Sequence, residues 1–197
     1  FFGHMEAGYF FLARRIGLVP LSVVGRAISQ VNHAEMPEHR RSGALAGILL
    51  KQIHALQWLS IVPAALLAWY APAICERLLG EGWEIAGQYL QLMTPYVVVH
   101  FVFAPVHAIN FVAEWQREGF WVALASTALS TGVLVWFSAN GTAYEAVAGY
   151  FAVQCVAYLA YRCYLMRRLG ASLVRLPVPA LLQLAVLAAL WLVVGPS

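Results

Sequence analysis

Charge is scarce in this chain of 197 residues: only 11% are charged, and the nine acidic residues are all Glu. A soluble domain carries about 25% charged residues, so there is too little charge here to cover a surface facing water. The lack of Asp removes the carboxylate-rich clusters that hard cations need. A net charge of +3, scattered along the chain, is too weak for nucleic-acid binding. Cysteine is sparse as well. Cys75, Cys155 and Cys163 show no Cys-x-x-Cys spacing, which suggests neither a disulfide framework nor a zinc site. Patterns for catalysis are also missing, with no Gly-rich phosphate cradle, no His-Glu-x-x-His and no Ser-His-acid set. The chain therefore reads as a protein that is not an enzyme, with no catalytic residues, cofactor or metal.

What the chain does have is apolar residues, at 62%. A hydrocarbon core about 30 Å thick takes about 20 apolar residues per helical span. Runs of that length predict six spans, at about 8–34, 44–70, 87–112, 118–138, 143–167 and 178–195. The breaks between them carry polar or turn-forming residues: His39 to Gly43, Glu114 to Gly119, Asn140-Gly141, Arg167 to Gly170, and Pro177 and Pro179. Strands of a membrane barrel alternate over only about ten residues, whereas these runs are longer and rich in Leu and Ala. The predicted fold class is all-α, a polytopic membrane helix bundle of about six transmembrane helices in one domain over residues 1–197. Residue 1 is Phe and no charged segment precedes an apolar leader, so the chain reads as the trailing part of something longer.

Lys and Arg accumulate in cytoplasmic loops. The loops and flanks after the first, third and fifth spans hold Arg40, Arg41, Lys51, Arg117, Arg162, Arg167, Arg168 and Arg175, whereas those after the second and fourth hold only Arg77. Loops 35–43, 113–118 and 168–177 are thus expected in the cytoplasm, with segment 71–86 and turn 139–142 facing outward.

Polar residues inside the spans follow helical spacing. Arg15, Ser22, Arg26, Ser29 and His33 lie 7, 4, 3 and 4 positions apart, which confines them to a stripe about 60° wide. An arginine near the bilayer centre costs at least about 2.5–3.5 kcal/mol on insertion scales, so this stripe is expected to face a bundle interior or a wet cavity. Snorkelling to the interfaces is the competing reading. Arg14 points about 100° away from the stripe and reads as a snorkelling or helix-contact residue. In the third span Tyr96, His100, His107, Asn110 and Glu114 share a face. The two histidines are about 10 Å apart along the axis, too far to share a metal, and the His and Glu side chains are candidates for proton coupling at a cavity wall. The fifth span places Tyr150, Gln154, Tyr158 and Tyr161 on one side. Tyr150, Tyr158 and Tyr161 are candidates for stacking on sugar rings, with plain interfacial packing as the alternative. Ser126, Thr127, Ser130 and Thr131 of the fourth span suit close helix contacts.

The first span also carries a motif. The run Gly8-Tyr9-Phe10-Phe11-Leu12-Ala13-Arg14-Arg15-Ile16, followed by Val19-Pro20-Leu21-Ser22, Val24-Gly25 and Ala27-Ile28-Ser29-Gln30-Val31, resembles the G-Y-x-x-L-A-x-R-I…P-L-x-x-x-G-x-A-I-S-Q-V signature of bacterial polysaccharide lipid-intermediate flippases. These are the O-antigen and capsule exporters of the multidrug/oligosaccharidyl-lipid/polysaccharide superfamily. Ala71-Pro72, Leu79 to Trp83, Ala86-Gly87, Tyr89-Leu90 and Thr94-Pro95 resemble that family's outward loop and the helix after it. The resemblance covers residues 1 to about 118.

The resemblance implies two lobes of six helices around a central cavity, with this chain as the second lobe lacking its first helix and gaining one C-terminal span. It implies a substrate, an oligosaccharide on a polyprenyl diphosphate, flipped across the bacterial inner membrane for lipopolysaccharide, capsule or exopolysaccharide assembly. Arg15 aligns with the family's recurring arginine. The implied partners are the lipid-linked oligosaccharide, membrane lipid, the N-terminal lobe and glycan polymerase machinery. The alternatives are a drug/cation antiporter of the same superfamily, disfavoured because the acidic residues Glu114 and Glu145 sit near opposite interfaces rather than at a cavity's centre, and a non-transporting partner of a glycan-assembly enzyme.

Overall fold

The computed structural model describes residues 3–41, 43–107, 110 and 114–170. Within its helices the side chains of residues 20–22, 26, 29, 31–37, 39–41 and 107 fall outside the description. The expected span at 178–195 lies outside the described residues. Among the described residues six helices follow in order: α1 Gly3–Arg41, α2 Leu45–Leu79, α3 Glu84–Val102, α4 Ala104–His107, α5 Gln116–Asn140 and α6 Ala143–Arg168. The described residues contain no strand.

Three of these helices are long and apolar enough to cross a membrane, α1 over Gly3–Gly25, α2 over Leu45–Leu79 and α5 over Gln116–Asn140, and they mark a membrane protein. Helices α3 and α6 are more polar. Gln88, Gln91 and His100 interrupt the first, and Glu145, Gln154 and Arg162 the second.

The local sequence explains where helices stop. Gly80 closes α2 at φ 99°, a value only glycine adopts without strain, and its N–H reaches Glu76 O at 2.9 Å. Thr142 and Glu145 form a reciprocal capping box that starts α6. The third predicted span is divided. Pro105 has no N–H to continue the ladder, and the chain breaks at Phe103 before the single turn of α4. Segment 71–86, expected as an outward loop, is helical as far as Leu79, and only 80–83 makes the turn. Pro63 and Pro72 do not end α2, because neighbouring helices and local adjustment make proline tolerable in membrane helices.

Helix α3 is the centre of the assembly. It packs against α2 most extensively, then α1, then α6, while α5 leans chiefly on α6. One apolar cluster, near turn 80–83, joins Tyr9 and Ala13 of α1 to Ala71 of α2, Ala86, Leu90 and Met93 of α3, and Val147 and Phe151 of α6. The other, near residues 43–44, joins Leu49 and Ile53 to Val102, Val106, Leu165 and Met166. Small residues set the closest approaches. A Cβ on Gly87 would strike Pro72 Cα and come within 2.6 Å of Ala71 O, and one on Gly17 would lie 3.0 Å from Leu90 Cδ1.

Candidate functional site

A column of rings runs between α3 and α6. It begins on α1, where Phe10 meets Tyr150 and Phe151 at centroid distances of 6.4 and 5.9 Å. Phe151 contacts Tyr96 at 5.5 Å, Tyr96 contacts His100 at 5.8 Å, and His100 stacks on Tyr158 at 4.9 Å with 19° between the planes. The guanidinium carbon of Arg162 then lies 4.5 Å from the centre of the Tyr158 ring and 5.5 Å from that of Tyr161. The Tyr161 hydroxyl donates to Asn110 Oδ1 at 3.0 Å, and Arg162 Nη1 donates to the Val106 carbonyl at 3.4 Å.

Arg162 is the residue that sequence reading misplaced. It was expected in the basic flank of the fifth span, yet it is only 2% exposed. A guanidinium buried this deeply needs acceptors and ring faces; Tyr158, Tyr161 and the carbonyl at the end of α4 supply them. The signal was its position four residues after Tyr158 and one after Tyr161, on the aromatic side of the helix.

The expected groups separate. His100, Asn110, Tyr150, Tyr158 and Tyr161 all join or adjoin the column. Glu114 does not: it is exposed, in the turn before α5, with φ at 60°. Gln154 turns toward α5 and donates to Ser130 Oγ at 3.2 Å. Ser130 is fully buried, as a close helix contact requires, whereas Thr127 and Thr131 are exposed. His107 lies on α4, and Ser22, Arg26, Ser29 and His33 lie on α1, but their side chains are outside the described residues.

Arg15 is exposed. Helix α1 buries Tyr9, Ala13 and Gly17 against α3, and Arg15 is turned about 160° from Ala13, to the back of the helix. Its expected place inside a bundle is therefore not supplied by the described helices. It lies 12 residues after Gly3 and 10 before Gly25, the ends of the membrane-crossing stretch of α1. That is about 15 Å or more from either end, near the middle of a hydrocarbon core about 30 Å thick. Snorkelling serves long side chains near helix ends, so it does not suit Arg15. Arg14, beside it, is exposed too. No carboxylate among the described residues is paired with either.

The exposed faces of the other two crossing helices differ. On α2 they present Trp58, Leu59, Val62, Leu66 and Trp69, and on α5 Phe120, Leu124, Leu129, Val135 and Trp136. Neither helix holds a charged residue between Lys51 and Glu76 or between Glu118 and Asn140. At the charged end of α5 and α6, Arg168 donates to both Glu118 oxygens at 2.7 Å and covers Trp115 at 4.3 Å. The bond it donates to Glu118 holds the Arg168 guanidinium above its ordinary pKa.

No protein-family model, curated protein or solved structure matches the chain.

Proposed function

We propose that this chain is one helical unit of a transporter that flips an oligosaccharide carried on a polyprenyl diphosphate across the bacterial inner membrane. The observation that carries the reading is the exposed Arg15 at mid-depth of α1. A guanidinium left against lipid there costs at least about 2.5–3.5 kcal/mol, while α2 and α5 show lipid the uncharged faces expected of them. The back of α1 therefore faces a wet cavity shared with a second helical unit, and an anionic head group there gains a cationic partner. The α1 motif adds its resemblance to the lipid-intermediate flippases.

In this reading α3 and α6 cross the membrane as well: Gln91 donates to Ala68 O of α2, Gln154 to Ser130 of α5, and His100 and Arg162 both lie on the Tyr158 ring. Residues 43–44 and the Glu118–Arg168 end face the cytoplasm, where positive charge accumulates. The diphosphate meets Arg15 in the cavity, its polyprenyl tail stays in lipid, and rocking of the two units exposes the head group to the far side. Lipid-linked oligosaccharide is the substrate, and glycan polymerase machinery is its consumer.

The test is flipping of a lipid-linked oligosaccharide in proteoliposomes holding the full-length transporter. Loss of the charge-assisted contact in Arg15→Ala is expected to slow flipping at least about tenfold, with part of the rate kept in Arg15→Lys. Unchanged rates in both variants overturn the reading.

A further inference from the structure

The α5–α6 hairpin is joined to the other helices chiefly through α6 on α3, and that joint holds two basic side chains on one ring. His100 of α3 stacks on Tyr158 of α6, and the Arg162 guanidinium lies against the same Tyr158 ring. Arg162 is enclosed and donates to the Val106 carbonyl. His100 is half-buried, and unlike Nε2 of His54 neither of its nitrogens is shut away without a hydrogen bond, so a proton reaches it from the surface. No carboxylate of the described residues bonds to it. Among the described residues, the groups facing His100 are uncharged apart from Arg162. Tyr96 on its own helix is in ring contact with it, and Cys155 lies one turn before Tyr158 on α6. Towards α3, α1 presents Tyr9, Ala13 and Gly17 while its Arg14 and Arg15 are exposed. Helix α2 presents Ile53, with His54 beside it, and Ala64, and α4 presents Val106.

We propose that His100 is a pH-operated latch between α3 and α6: as neutral imidazole it stacks on Tyr158 beside Arg162 and ties the two helices together, and on taking up a proton it leaves the stack. The guanidinium stays charged at every working pH, and the Tyr158 ring already holds that one cation. A second cation on the same ring, with water largely excluded, is repelled far more strongly than it would be in water. Arg162 is also fixed by the Val106 carbonyl and the Tyr161 ring, so His100 is the group displaced. The stability that the latch contributes is complete above about pH 6.5, where a free imidazole titrates, and is lost as pH falls further. Opening the stack loosens the α5–α6 hairpin from α3. The inference stands apart from the flippase reading, since it concerns a joint inside this unit and not the Arg15 face of α1.

The experiment measures amide hydrogen exchange of the full-length protein in nanodiscs of zwitterionic lipid at about pH 5.5 and about pH 8, on either side of the imidazole range, with each rate divided by the intrinsic exchange rate at that pH. In the parent protein, amides of α3 over 94–102 and of α6 over 154–165 are expected to exchange at least about twofold faster at the lower pH, while the α2–α3 crossing at Gly87 keeps its protection. His100→Gln, which takes up no proton, is expected to give the same corrected rates at both pH values. In Arg162→Gln the ring is free to accept the imidazolium, so the lower pH is expected to leave these segments no faster. The ratio between the two pH values is the readout, and a general loosening by either substitution does not imitate the result.

A ratio below about twofold in the parent protein, or a ratio that persists in His100→Gln, overturns the latch. So does a ratio kept in a folded Arg162→Gln, because the loosening then needs no second cation. Where Arg162→Gln fails to fold, the His100→Gln ratio decides alone. Flipping enters none of these outcomes, so failure of the latch leaves the proposed function standing, and absence of flipping leaves the latch standing.

Discussion

At the scale of single residues, Arg162 and Glu114 show how burial changes the meaning of a charge. Arg162 gives its guanidinium to two ring faces and a carbonyl, so its truncation removes contacts that water cannot replace. Arg162→Ala is expected to lower stability by about 2–3 kcal/mol, read as a shift in the thermal unfolding of the protein in detergent. Arg162→Lys is expected to recover only part, because an ammonium cannot serve two rings and the Val106 carbonyl at once. Glu114 is the reverse case. It holds φ at 60° in an exposed turn, where glycine avoids the Cβ clash. Glu114→Gly is expected to raise stability by up to about 1 kcal/mol in the same measurement.

At the scale of elements, helix ends and crossings have separable determinants. The α6 start depends on Thr142, whose side chain accepts from the Glu145 N–H at 3.3 Å while Glu145 Oε2 accepts from the Thr142 N–H at 2.8 Å. Thr142→Ala is expected to cost about 1 kcal/mol, with faster hydrogen exchange confined to the first turn of α6. The α2–α3 crossing depends on Gly87, where a methyl group meets backbone rather than a yielding side chain. Gly87→Ala is expected to destabilise by about 1–3 kcal/mol and to increase exchange in both helices. These positions were legible to different degrees. The Thr-x-x-Glu spacing is a local pattern, whereas nothing near Gly87 in the chain names Pro72 as its neighbour. The break in the third predicted span was half legible, since Pro105 is visible in sequence but its effect depends on what satisfies the freed groups.

At the scale of the whole molecule, the arrangement makes a prediction about sidedness. With the buried Arg162 set aside, the Lys and Arg of the described residues still accumulate at the end holding residues 43–44 and the Glu118–Arg168 pair. Single cysteines at Gly43 and Glu114 are expected to react with a membrane-impermeant maleimide only from the cytoplasmic side. Those at Gly82 and Gly141 are expected to react only from the opposite side. The background must lack Cys75, Cys155 and Cys163. Labelling of all four from one side contradicts the crossing of the membrane by α2 and α5.

Composition and periodicity determined that the described residues are helical and suited to lipid, and they placed the ends of α5 and α6 to within two residues, because apolar run length and turn residues are local properties. They also placed Arg15 and its stripe on one face of α1. Only the tertiary structure decided which face that is. Packing of Ala13 and Gly17 on α3 turns Arg15 to the back of the helix, and packing of α6 on α3 encloses Arg162, because which charges a bundle buries depends on helix neighbours distant in sequence.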